Sequence, residues 1–102
     1  MDLIKTYRQG ECFLIEIDNL PKGLKEKNKV LAEGETTGHK HLLNGQVQVF
    51  ADSTGQQFVN VEAPSRLVHE EHQELEIPVG KFKVVLQREY DLLSESIRQV
   101  LD

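Results

Sequence analysis

The sequence predicts an all-β domain, either a small β-barrel or a β-sandwich, and three observations support this. Short runs of alternating apolar and polar residues recur along the chain, as in half-buried strands. Gly, Pro, Asn and Asp separate these runs at positions suited to turns. The 102 residues are 38% hydrophobic and 28% charged, which is the composition of an ordinary globular domain. We therefore expect one folded domain over residues 1–102.

At least six strands are expected. Residues 11–18 alternate, with Phe13, Ile15 and Ile17 on one face of the strand. Between two later runs, Asn44-Gly45 predicts a β-hairpin with a type I′ turn, because both residue types tolerate a positive φ. The remaining strands are expected at residues 29–33, 41–43, 46–50, 57–61, 66–70, 74–77 and 81–90.

The last twelve residues show a different periodicity. Leu93, Ile97 and Leu101 have helical spacing, and Asp91 is a suitable N-cap. This predicts a short C-terminal helix over 91–102, with a terminal strand around 97–101 as the alternative.

All four histidines fall into two groups. The first is Gly38-His39-Lys40-His41, and the second is His69-Glu70-Glu71-His72. Residues i and i+2 of a strand point to the same face, so His39 and His41 can converge on one point. Neutral imidazole is a common ligand of zinc, iron, copper and nickel. The two pairs therefore predict one metal site with His39, His41, His69 and His72 as ligands.

The second pair needs a special backbone. His69 and His72 are three residues apart, so on a regular strand they would face opposite sides. A helical turn or a β-bulge would bring them together, whereas a two-residue Glu-Glu hairpin loop is disfavoured. In the remaining alternative only one of the two ligates. Neighbouring carboxylates could complete the shell or orient a ring, and the candidates are Glu70, Glu71 and Glu74.

Charge and cysteine content exclude some functions. The net charge of −5 disfavours general nucleic-acid binding, and the basic stretch from Lys22 to Lys29 lacks aromatic residues and is expected as a solvated loop. The single Cys12 cannot form an intrachain disulfide and is expected to be buried and unreactive. The chain has no apolar run that could cross a membrane or act as a signal peptide, so a soluble cytoplasmic protein is expected.

Two resemblances bear on these predictions. The segment Gly34-Glu35-Thr36-Thr37-Gly38-His39-Lys40-His41 and the turn Pro78-Val79-Gly80 are similar to motifs of cupins, which would imply a metal-binding β-barrel. The sequence departs from cupins because no histidine follows that turn. More of the chain resembles a family of small, uncharacterised bacterial and phage proteins, through Arg8-Gln9-Gly10-Glu11, residues 31–41, Leu67–His72 and residues 87–90.

The sequence leaves several functions open. The first is a metal-binding domain of unassigned activity, holding zinc, iron, nickel or manganese. A metal-dependent enzyme, either a cupin-type oxygenase or isomerase or a zinc hydrolase, is the second, and its catalytic residues are unknown. A structural or protein-interaction domain without a metal is the third. A homodimer and a small-molecule ligand also remain open.

Overall fold

The computed structural model describes residues 5–34 and 37–87, and within them the regular elements are ten strands. In chain order the strands are β1 Thr6–Gln9, β2 Cys12–Ile17, β3 Lys25–Lys27, β4 Val30–Glu33, β5 Lys40–Asn44, β6 Val47–Ala51, β7 Gln57–Val61, β8 Ser65–Val68, β9 Leu75–Ile77 and β10 Gly80–Leu86. The all-β prediction is confirmed for this part of the chain. The predicted C-terminal helix over 91–102 lies outside the described residues.

The strands form two antiparallel sheets. The larger has six strands in the order β1-β2-β10-β7-β6-β3, and the smaller has four in the order β4-β5-β8-β9. In the described residues no strand pairing joins the two ends of either sheet, so the barrel alternative is wrong, and the cupin-like architecture is not supported. Both sheets contribute to one hydrophobic core, which includes Leu14, Val59 and Phe82 from the larger sheet and Leu43, Leu67 and Ile77 from the smaller.

The hairpin predicted at Asn44-Gly45 is wrong. β5 pairs with β4 and β8, whereas β6 pairs with β3 and β7, so the chain passes from one sheet to the other at this point. Gly45 has φ +140°, and any side chain added there would collide with Ser65, which is buried. Asn44-Gly45 therefore serves a close crossing between sheets, where glycine is required, and not a type I′ turn.

Two strands were not predicted. β3 lies in the lysine-rich segment that was expected to be a solvated loop, and it is an edge strand that pairs only with β6. Charged residues are usual on edge strands, since they discourage pairing with other chains. β1 is the opposite edge of the same sheet, and its hairpin with β2 has Gly10-Glu11 as the loop between the paired Gln9 and Cys12. This hairpin brings Gln9 and Glu11 next to His41.

No helix in the described part of the chain has the length and apolar character that crossing a bilayer requires. Cys12 is fully buried, and this burial raises the pKa of its thiol to about 12. The predicted lack of nucleophilic character at Cys12 agrees with that environment, since the thiolate is the reactive form.

Candidate metal centre

The four histidines lie in one cluster at one end of the smaller sheet. The ring centroids of His41 and His69 are 4.3 Å apart, those of His69 and His72 are 4.5 Å apart, and those of His41 and His72 are 5.7 Å apart. His39 joins the cluster through His69, with 5.7 Å between the two centroids. The two sequence groups, some 30 residues apart, therefore meet in the fold.

His39 and His41 differ in exposure because of their positions relative to strand β5. Its burial alternates, so that His41 and Leu43 face the core while Lys40 and Leu42 face outward. His41 is only 1% exposed, whereas the His39 side chain, one residue before the strand, is 30% exposed. His41 is therefore in the core, whereas the ring of His39 is partly exposed and joins the cluster through His69.

His69 and His72 come from the loop that joins β8 to β9. Neither of the predicted local structures is found: the loop has bends at residues 70–72, without a helical turn or a bulge. The backbone N–H of Glu71 donates a hydrogen bond to His69 Nδ1 over 3.0 Å, which closes this loop tightly. The bends turn both imidazoles to the same side and so replace the expected bulge.

Buried Gln9 fixes the protonation state of His41. The Gln9 side-chain nitrogen donates to two backbone oxygens, that of Leu67 at 2.8 Å and that of Gln73 at 3.0 Å. Because carbonyl oxygens only accept, the amide oxygen of Gln9 must be the atom 2.8 Å from His41 Nδ1. Nδ1 therefore carries the proton and donates it. The Nε2 atom of His41 is therefore unprotonated and keeps its lone pair.

Burial and the nearby rings favour the neutral form of His41. Burial is the largest effect that lowers its pKa, followed by the charge that His69 would carry if protonated. Glu11 acts in the opposite direction and raises the pKa. A neutral imidazole with an unprotonated Nε2 is the form that binds a transition metal.

Two sets of three residues could each hold a metal ion, because the ligand atoms within each set all lie within 4.8 Å of one another. The two sets have His69 in common. The first set is His41, His69 and His72, and the second is His39, His69 and Glu70. Ligand atoms about 2.0–2.1 Å from a tetrahedral zinc ion lie about 3.4 Å apart. Atoms at the 4.8 Å limit would therefore have to approach one another by about 1.4 Å to hold an ion. The first set is the more buried.

The three predicted carboxylates have different environments. Glu70 accepts a hydrogen bond from the backbone N–H of Lys40, and hydrogen bonds from its own N–H and that of Lys40 lower its pKa. Glu71 lies 3.2 Å from His39 Nδ1. Glu74 pairs with Arg66 at 3.0 Å, so its carboxylate is engaged away from the histidines.

Sequence reasoning missed two residues of this region. The first is Gln9, which accepts the hydrogen bond from His41 Nδ1, and the second is Glu11, whose Oε1 lies 3.9 Å from His41 Nε2. Both belong to the Arg8–Glu11 segment that carried part of the resemblance to uncharacterised proteins, but no site role was assigned to them. The resemblance drew attention to this segment but did not indicate a role in metal binding, because no known metal-binding motif lies in it.

A shallow cavity of about 410 Å³ borders the cluster at His72. Leu75 is the single fully apolar side chain among its lining residues, so it is not the apolar pocket usual beside a catalytic metal. Its walls include Arg8, Gln9, Gly10, His72, Gln73 and Leu75.

Comparison with known proteins places the chain in an uncharacterised family. A family model described as "Domain of unknown function (DUF8820)" matches residues 8–87, which is more than half of the chain. The predicted resemblance to an uncharacterised small domain family is thereby confirmed. No curated protein and no solved structure matches the chain.

Proposed function

The chain belongs to this domain family of unknown function, and from the site alone we propose that it binds one divalent transition-metal ion. The ligands of the ion are His41, His69 and His72. His39 and Glu70, which form the second set together with His69, lie beside this site and do not ligate the same ion. The observation that carries this proposal is that His41, His69 and His72 offer ligand atoms within 4.8 Å of one another, while the buried His41 donates its Nδ1 proton to Gln9 and so has no proton on Nε2.

The donor set narrows the choice of metal. Three imidazole nitrogens suit zinc, iron and nickel, whereas manganese prefers carboxylate and other oxygen ligands. Zinc, nickel and ferrous iron are therefore the expected ions, and manganese is the weakest candidate of the four predicted from the sequence.

Metal binding at His69 requires a hydrogen bond of its ring to break. Its Nδ1 accepts the Glu71 N–H, so an ion bound at Nδ1 displaces that hydrogen bond directly. Ligation through Nε2 instead places the ring proton on Nδ1, where it faces the same N–H. Metal binding through either nitrogen therefore opens the Glu71 contact, and the β8–β9 loop adjusts around the ion.

The test is a zinc titration of protein purified without a histidine tag, followed by competition with a chelator at pH 7.5. The native chain should bind one equivalent, and its melting temperature should rise on zinc addition, since the ion binds only the folded state. His41→Ala should abolish binding, and His39→Ala should weaken it only several-fold. Native-like binding by His41→Ala would contradict the proposed set.

A second candidate is a metal-dependent enzyme, and the cavity beside His72 is the observation in its favour. A zinc-loaded native chain that hydrolyses an activated ester faster than the loaded His39→Ala variant and the metal-free chain would support it. Absence of metal binding in the native chain would leave the structural or interaction role.

A further inference from the structure

The Gly10-Glu11 turn lies directly over the histidine cluster. Gly10 has φ +57° while Glu11 does not have a positive φ, which is the pattern of a type II′ hairpin turn. A Cβ atom at Gly10 would be 2.6 Å from His72 Nε2, so the backbone here packs on that ring. Arg8 Nε donates to the Gly10 oxygen over 2.8 Å and fixes the turn in place.

In the contact between Glu11 and His41, two hydrogen-bond acceptors lie close to each other. Glu11 Oε1 is 3.9 Å from His41 Nε2, and that nitrogen carries a lone pair because the ring proton is on Nδ1. Two acceptor atoms therefore face each other with no hydrogen between them. A cation between the two atoms would be attracted by both of them.

We propose that the Glu11 carboxylate is the fourth ligand of the ion held by His41, His69 and His72. This inference rests on the proposed metal function. Zinc–oxygen and zinc–nitrogen bonds of about 2.0–2.2 Å place two neighbouring ligand atoms about 3.4 Å apart in a tetrahedral site. Glu11 Oε1 is already 3.9 Å from His41 Nε2, but it is not part of the set of atoms within 4.8 Å of one another that His41, His69 and His72 form, so the side chain has to turn toward these rings when the ion binds. The Glu11 side chain is 56% exposed and has room for this movement.

Charge supports a carboxylate at this position. Three neutral imidazoles leave the full double charge of the ion, and the ring of His41 is buried. One carboxylate ligand halves that charge. Glu70 and Glu71 already contact Lys40 N and His39, whereas Glu11 Oε1 lies 3.9 Å from His41 Nε2.

The experiment compares zinc affinity among tag-free variants at pH 7.5, by chelator competition. Glu11→Gln and Glu11→Ala should weaken zinc binding by about ten- to a hundredfold. Glu62→Gln removes an equal charge from an exposed loop residue and should change affinity by less than twofold. Thermal melts of the metal-free variants should match the native chain, because Glu11 is exposed and on a turn.

Cobalt(II) supplies a second readout. Loss of the carboxylate ligand should change the position and intensity of the visible absorption bands in both Glu11 variants, and Glu62→Gln should keep the native spectrum. Zinc binding by native protein, with unchanged affinity and spectrum in both Glu11 variants, would overturn the Glu11 assignment and leave the histidine site standing. An equal loss in Glu62→Gln would also overturn it. Absence of zinc binding by the native chain would remove both proposals.

Discussion

The Oε1 atom of Gln9 lies 2.8 Å from the Nδ1 atom of His41, and both side chains are buried. Gln9 ends β1 of the six-stranded sheet, and His41 lies on β5 of the four-stranded sheet, so this hydrogen bond joins the two sheets. The same contact determines which nitrogen of His41 is available to a metal. One pair of side chains thus contributes both to the packing of the two sheets and to the protonation state of His41.

Replacing Gln9 by leucine should lower both stability and zinc affinity. The change leaves the oxygens of Leu67 and Gln73 and the Nδ1 proton of His41 without their partner, at a cost of about 2 kcal/mol in the free energy of unfolding. Urea unfolding measures the first effect and chelator competition the second. The ¹⁵N shifts of the His41 ring should also show loss of the pure Nδ1–H tautomer.

The matched control is Gln56→Leu. Gln56 also donates from its side chain to two backbone oxygens, those of Gln57 at 3.0 Å and Val84 at 2.6 Å, and neither acceptor is in the histidine cluster. This variant should lose stability and keep zinc affinity. Equal zinc affinity of Gln9→Leu and native protein would show that Gln9 has only a structural role.

Gly10→Ala should be more damaging than an ordinary substitution on a turn. A left-handed φ costs a non-glycine residue about 1–2 kcal/mol, and here the new Cβ would also displace the ring of His72. Gly23→Ala is the control, since Gly23 has φ +78° with nothing within 4 Å of the added atom. We expect similar backbone strain in both, with a drop in zinc affinity only in Gly10→Ala. Unchanged affinity in Gly10→Ala would place His72 outside the ligand set.

Stability of the metal-free protein should decrease with acid in a specific pH range. Burial lowers the pKa of His41 in the folded state, so the unfolded chain takes up this proton first as the pH falls. The contribution is therefore fully present above about pH 6.5 and is lost progressively below it. Urea unfolding at pH 7.5, 6.5 and 5.5 measures this loss.

The His41→Gln variant is the comparison, because glutamine does not titrate. Its stability should fall less than that of the native chain between pH 7.5 and 5.5. Asp52 and Glu70 have lowered pKa values in the folded state, so their contributions are lost only at more acidic pH. Parallel decreases in the two proteins would refute the assignment to His41.

Zinc binding should be visible at the Glu71 backbone amide. Since the ion displaces the hydrogen bond to His69 Nδ1, the Glu71 amide signal should shift and its hydrogen exchange should accelerate on zinc addition. The Gly55 amide, which donates to the Asp52 oxygen in a remote turn, should be unaffected. A Glu71 amide that stays protected in the zinc-bound protein would exclude His69 as a ligand.

Most strands could be predicted from the sequence because side-chain alternation is a local property. The expected segment 57–61 coincides with β7, and the expected 11–18 contains β2. The pairing of those strands could not be predicted in the same way. Asn44-Gly45 is a strong hairpin signal, yet β5 and β6 belong to different sheets, since their partners are chosen by packing across the core.

The sequence alone shows that the four histidines form two groups, and it predicted that the two groups meet at one metal site. Only the tertiary structure decided that His41 is buried while His39 is half-buried, and that the two sets of ligand atoms share His69. The roles of Gln9 and Glu11 were also decided there. Gln9 is 32 residues from His41, and a hydrogen bond over that separation exists only once the two sheets pack together.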